Sequence, residues 1–252
     1  MAGHSKWANI KHRKGAQDAK RGKVFTKIIK EIVVAVKESG DDSDTNPRLR
    51  VAIQNAKNVN MPKDNVQRAI KKAVGGEGDD LREVTYEGYL PHGVAVFIEC
   101  MTDNINRTVA EIRAVFNKMG GELGKNGALE FLFKRKGFFF IETKQFNKNL
   151  DEIEMQLIDY GLEELEVEEE VCTIICDFDT FGTLQKKLED MKIEMTATEI
   201  ERIPNDLVKL KNDITLSILK SIEKFEDIED VQKVFHNLKI SEPVIQILNE
   251  ES

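Results

Sequence analysis

Cysteine, histidine, proline and tryptophan are all scarce in this chain of 252 residues. Its three cysteines, Cys100, Cys172 and Cys176, are odd in number and contain no Cys-x-x-Cys pair. That excludes a fully paired disulfide framework and a zinc-ribbon spacing. Cys172 and Cys176 lie four apart on a predicted strand, hence on one face, where a free thiol acts as a small buried hydrophobe. Such usage fits a reducing, cytoplasmic compartment. The four histidines, His4, His12, His92 and His236, are scattered without metal-ligand spacing or an evident Ser or Cys partner. No apolar run approaches the roughly 18 residues that span a bilayer. The opening Met1-Ala2-Gly3-His4-Ser5-Lys6-Trp7 has no apolar signal-peptide core.

Enzyme motifs are equally thin. Gly120-Gly121-Glu122-Leu123-Gly124-Lys125-Asn126-Gly127 has the glycines of a phosphate loop. It follows a predicted helix and lacks the Gly-Lys-Ser/Thr ending that opens one. The carboxylates of Glu163 to Glu170 fall on a predicted hairpin, where they share a solvated edge. Thr102-Asp103-Asn104 precedes a helix, and Asp103 or Asn104 serves as its N-cap more simply than as a catalytic group. No catalytic residue, cofactor or metal is expected.

What the chain has is charge, unevenly spread. Its 37 Lys/Arg and 45 Asp/Glu leave a net of −8, which taken alone argues against a nucleic-acid partner. Residues 1–78, however, hold 17 basic against 8 acidic side chains, a net of +9, and residues 79–252 hold 20 against 37, a net of −17. The densest cations are His4, Lys6, Lys11, His12, Arg13, Lys14, Lys20, Arg21 and Lys23, interleaved with Trp7, the only tryptophan. Lysine and arginine neutralise phosphates and release counterions, and an indole stacks on bases. These ten residues form the candidate nucleic-acid site. No helix-turn-helix with a polar recognition helix accompanies them, so charge and stacking, not base sequence, are specified.

Apolar spacing sets the remaining organisation. Phe25, Ile28, Ile29, Ile32, Val33 and Val36 form one helical stripe, with Lys20, Lys23, Lys27, Lys30 and Lys37 on the rest of that helix. Asn46-Pro47 caps a second helix, running to about Asn58, and Asn60-Met61-Pro62 opens a third that Gly75-Gly76 ends. Strands at Val84–Leu90 and Gly93–Cys100, a helix at 105–119 and a strand near Ala128–Phe133 follow. Residues 137–204 read strand, helix, strand, strand, helix, strand, the split βαβ ferredoxin-like order. A helix near 213–225 and a strand near 231–238 are too small to stand alone and are expected to return to the 80–133 segment. The fold class is therefore α+β with three domains: a helical bundle after a basic arm (1–78), a discontinuous middle α/β domain (79–133 and 205–240), and an inserted ferredoxin-like domain (134–204). A frayed tail covers 241–252.

The opening Met1-Ala2-Gly3-His4-Ser5-Lys6-Trp7-Ala8-Asn9-Ile10-Lys11-His12-Arg13-Lys14 resembles the signature of the YebC/PmpR family. So do Asn46-Pro47-Arg48-Leu49-Arg50, Asn60-Met61-Pro62-Lys63-Asp64-Asn65, Tyr86-Glu87-Gly88-Tyr89 and Thr102-Asp103-Asn104-Ile105-Asn106-Arg107-Thr108. The chain departs from the usual pattern at Leu90-Pro91-His92-Gly93, at Ile105 and near Phe131-Leu132. The resemblance implies three domains and a non-enzymatic regulator of gene expression. Bacterial members are described as DNA-binding transcriptional regulators. Others, including mitochondrial relatives that activate translation of cytochrome oxidase, look like ribosome-associated factors on ribosomal RNA, some easing synthesis through proline runs. DNA, with ribosomal RNA as the alternative, is the expected partner. Asp103, Asn104, Asn106 and Arg107 are expected to form a second contact surface, and the acidic domains to face protein partners. No membrane partner is expected.

Overall fold

The computed structural model describes residues 18–76, 80–146, 150–168 and 170–250, with side chains from Gly22 to Leu248. They divide into two compact units. One comprises the described parts of Met1–Lys30, Gly78–Lys134 and Ile203–Ser252; the other comprises those of Glu31–Glu77 and Arg135–Arg202. The chain is mixed α+β, with two four-stranded sheets.

The first unit is built on a sheet of β1 (Arg82–Leu90), β2 (Val94–Thr102), β3 (Glu122–Leu123) and β8 (Val231–His236), in the order β3-β1-β2-β8. Every pairing in it is antiparallel. Helices α4 (Ile105–Lys118) and α7 (Asn212–Glu226) cover one face. Their apolar stripes meet Val94, Val96, Ile98 and Cys100, and Phe116 packs on Phe225 with ring centroids 4.6 Å apart. On the other face Ala95, Phe97 and Phe235 bury Leu129 and Phe133.

The second unit holds α2 (Pro47–Asn58) and α3 (Lys63–Val74) together with β4 (Phe133–Glu142), α5 (Leu150–Ile158), β5 (Leu162–Val167), β6 (Val171–Asp177), α6 (Phe181–Asp190) and β7 (Met195–Pro204). Its sheet order is β5-β6-β4-β7, that of a split βαβ unit. Phe139, Ile141, Cys172, Ile174 and Cys176 point to the helices, and Phe139 stacks on Phe181 at 4.8 Å. Val51 of α2 packs against this core, and Arg50 reaches Glu189 at 3.1 Å. Helix α1 (Asp18–Ser39) contributes to both units. The Asn46 side chain accepts from the Leu49 amide and donates to the carbonyls of Ala35 and Gly40, closing the α1–α2 turn as the Asn-Pro signal requires.

Two expectations need correction. The segment 128–132 is a turn ending in a single 3₁₀ turn at Glu130–Leu132, not a strand. Leu129 and Phe133 are buried, but Phe131, which a strand would bury on the same face, is 71% exposed. The described part of the tail is not frayed: α8 (Glu242–Glu250) is a helix whose Val244 and Ile245 are buried and whose Leu248 packs on the first core. That spacing of one, then three, is the amphipathic pattern of a docked helix.

Candidate functional site

Of the ten residues in the basic set, nine (His4, Lys6, Trp7, Lys11, His12, Arg13, Lys14, Lys20 and Arg21) have side chains outside the described residues. The tenth, Lys23, donates to Asp227 at 2.8 Å, with both side chains more than half exposed. It is one of three lysines at helical spacing on α1 that turn to a single segment. Lys27 donates to the Gln232 carbonyl at 3.4 Å. Lys30 donates to Asp230 at 3.0 Å and to the carbonyls of Met101 and Glu229 at 3.2 and 3.3 Å, using all three of its N–H groups. Lysines placed on the free face of the helix by the sequence pattern are thus gripped by the α7–β8 turn and β8.

Asp230 is the centre of this arrangement. Its side chain is 4% exposed. Oδ1 accepts from Lys30, and Oδ2 accepts from Arg107 Nη2 at 2.7 Å and from the hydroxyls of Thr108 and Thr102 at 2.8 and 3.1 Å. Arg107 also donates to Asp103 at 2.8 Å. The Asn104 amide donates to the Thr102 hydroxyl, and the Asn104 side chain accepts from the Arg107 amide as the N-cap of α4. Burial alone would raise the Asp230 carboxyl, but the hydrogen bonds from Arg107, Lys30 and Thr108 outweigh it and hold its pKa down to about 2. The same carboxylate raises the Arg107 guanidinium.

The expected second surface therefore resolves into parts. Asp103 and Arg107 belong to the Asp230 network, Asn104 caps the helix, and Asn106 is exposed beside them. The network opens on a cleft of about 550 Å³ lined by Lys30, Leu81, Arg107, Glu111, Lys224 and Asp227 among others. Both oxygens of Asp230 accept hydrogen bonds, Oδ1 one and Oδ2 three, so this carboxylate is a clasp joining α1, β2 and α4 to the α7–β8 turn. Lys30, Thr102, Thr108 and Asp230 carry no sequence signal as a set. Asp230 is one of 45 acidic side chains, and its cationic partners stand 123 and 200 positions away.

The glycine-rich loop after α4 is likewise explained. Glu87, buried on β1, accepts from the amides of Gly127 (2.8 Å) and Leu129 through its two carboxylate oxygens, and its carbonyl accepts from the Gly124 amide at 2.7 Å. Amides that a phosphate loop would offer to a ligand are already taken by an internal carboxylate. The three thiols are buried, and burial pushes Cys100 and Cys172 up to about 12 and Cys176 up to about 11. A protonated, inaccessible thiol is neither a nucleophile nor a metal ligand.

Known proteins match along nearly the whole chain. Residues 5–76 match the family model described as the TACO1/YebC protein N-terminal domain, and residues 81–238 match the one for the TACO1/YebC second and third domain. A "probable transcriptional regulatory protein" of Amoebophilus asiaticus is 50% identical, over 94% of this chain and 98% of its own. One of the same description from Geobacillus thermodenitrificans is 47% identical, over 94% and 97%. The crystal structure of a conserved hypothetical protein from Aquifex aeolicus superposes with a TM-score of 0.81 at 40% identity, covering 94% of this chain and 98% of that one. With both family models matched and relatives this similar end to end, the chain belongs to the TACO1/YebC family.

Proposed function

We propose that this protein is a non-enzymatic, nucleic-acid-binding regulator of gene expression that acts on DNA as a transcriptional regulator. The observation that carries the reading is the partition of charge, +9 in residues 1–78 against −17 in the rest. A polyanion is attracted to the first part and repelled by the second. His4, Lys6, Trp7, Lys11, His12, Arg13, Lys14, Lys20, Arg21 and Lys23 form the contact set. Lys23 is held by an exposed ion pair, which is weak in water and exchanges readily for a phosphate. The domain frame is 1–78 for nucleic acid, 79–133 with 205–240 for the middle domain, and 134–204 for the insertion. The break between the two matched family models, at residues 77–80, supports the first boundary. The relatives' descriptions as transcriptional regulators support the choice of DNA.

No catalytic residue, cofactor or metal enters this reading. The acidic remainder faces outward toward protein partners, and the compartment is the cytoplasm. Among the described residues no helix is long and apolar enough to cross a membrane. A second reading, a ribosome-associated translation factor on ribosomal RNA, has one feature in its favour: a contact set of cations and one indole reads backbone and shape, which structured RNA also offers. Fractionation of cell lysate separates the two. Recovery of the protein with specific promoter DNA, insensitive to RNase, is the expected result. Co-migration with ribosomes that RNase abolishes would replace DNA by ribosomal RNA.

A further inference from the structure

Helix α3 (Lys63–Val74) carries charge that its own stability does not explain. Lys63, Asp64, Gln67, Arg68, Lys71 and Lys72 are exposed, four cations against one carboxylate, while Ala69 and Ala73 face inward. In the same unit Arg48 is paired with Glu31 and Glu38, Arg50 with Glu189, and Lys136 with Glu163 and Asp177. No carboxylate among the described residues pairs with Lys63, Arg68, Lys71 or Lys72. Arg68 is held along the helix surface by the Asp64 carbonyl and the Asn65 side-chain oxygen, neither of which cancels its charge.

Lys71 and Lys72 sit in the last turn, where cations favour the helix dipole, but Lys63 opens the first turn, where a cation opposes it. Arg68 lies three and four residues from Lys71 and Lys72, and like charges at those spacings repel. A helix that tolerates these costs in an acidic protein presents a surface made for a polyanion.

We propose that α3 is a contact for the phosphate backbone of duplex DNA, separate from the basic segment at residues 4–23 and independent of base sequence. This rests on the nucleic-acid reading above and names a surface that it lacks. At 1.5 Å per residue, Lys63 to Lys72 spans roughly 14 Å, a length over which one DNA strand, its successive phosphates roughly 7 Å apart, offers about two or three phosphates. Four cations occupy it. Gln67 is the only uncharged polar side chain among the six, so the face reads charge and spacing, not bases.

The test uses the full chain and a mixed-sequence DNA duplex of about 30 base pairs, followed by fluorescence anisotropy across a salt series. Combining Lys63→Gln, Arg68→Gln, Lys71→Gln and Lys72→Gln replaces exposed cations with a good helix former, and a thermal melt checks the fold. The expected result is a loss of about tenfold or more in affinity at low salt, and a salt slope shallower by about 0.9 for each phosphate contact removed. A scrambled duplex should lose affinity equally. Lys220→Gln, exposed on α7, should leave both quantities unchanged. Should the quadruple variant be hard to fold, Lys63→Gln and Lys71→Gln alone should each lower the slope by about one. Wild-type affinity and slope in the variants would overturn the proposal, as would a loss confined to one DNA sequence or to an RNA duplex of the same sequence. If removing residues 1–22 abolishes binding while the α3 variants do nothing, the nucleic-acid reading stands and this surface fails. If the unaltered chain binds no duplex, both fall.

Discussion

Asp230 shows how one carboxylate can tie three elements to a turn. Lys30, Arg107, Thr102 and Thr108 converge on it from α1, α4 and β2. The folded carboxyl titrates near 2, below its ordinary value of 3.8, so the unfolded chain binds the proton first as pH falls. Its stabilisation is complete above about pH 4 and is lost as pH drops through about 2. The difference corresponds to about 2 kcal/mol. Asp230→Asn should therefore lower stability by roughly that amount at pH 7 and flatten the pH dependence between 2 and 4. Denaturant melts at a series of pH values check both. A variant with the wild-type pH profile would show that the clasp does not hold this region together. None of this was legible beforehand, because the partners are far apart in sequence and each alone is an ordinary surface residue. The cap at Asn46 was legible, and the one before α4 was narrowed to Asp103 or Asn104, since each cap acts on an amide within three residues of itself.

Elements fared according to how local their causes are. The caps at Asn46 and Asn104 and the 3.6-residue spacing mark α2 and α4 within a residue or two. Strand β6 runs Val171–Asp177 as expected, with Cys172, Ile174 and Cys176 buried on one side and Thr173 and Ile175 buried on the other. The segment 128–132 departs from the expected strand because Leu129 and Phe133 answer to the sheet face of Ala95, Phe97 and Phe235, a non-local demand. Docking hid α8 in the same way: Val244 and Ile245 are buried only because the first core is there to receive them. Gly88 on β1 marks another such constraint. A Cβ there would fall 2.6 Å from the Phe116 ring and would also collide with the Glu122 carbonyl, so the close approach of α4 and β3 to β1 needs glycine. Gly88→Ala should cost about 1–3 kcal/mol, as overpacking does, read as a lowered denaturation midpoint with an unchanged slope. An unchanged midpoint would mean that the β1–α4 packing yields more easily than its geometry implies.

At the scale of the whole molecule, the net charge of −8 conceals a cationic first third and an anionic remainder. The α+β class, the two sheets and the family were all legible from periodicity and motif blocks. The grip of α1 on the α7–β8 turn was not, since a lysine-bearing helix face reads as solvated until its carbonyl and carboxylate partners are placed. The central claim is that the basic segment before Lys23 provides the hold on nucleic acid. Its most direct test is the salt dependence of duplex binding by the full chain and by a chain lacking residues 1–22. The intact protein should show a steep fall of affinity with salt. The truncated one should bind far more weakly, with a slope shallower by up to about 5 for the six Lys and Arg removed. Equal affinities and equal slopes, with both chains folded, would contradict the account.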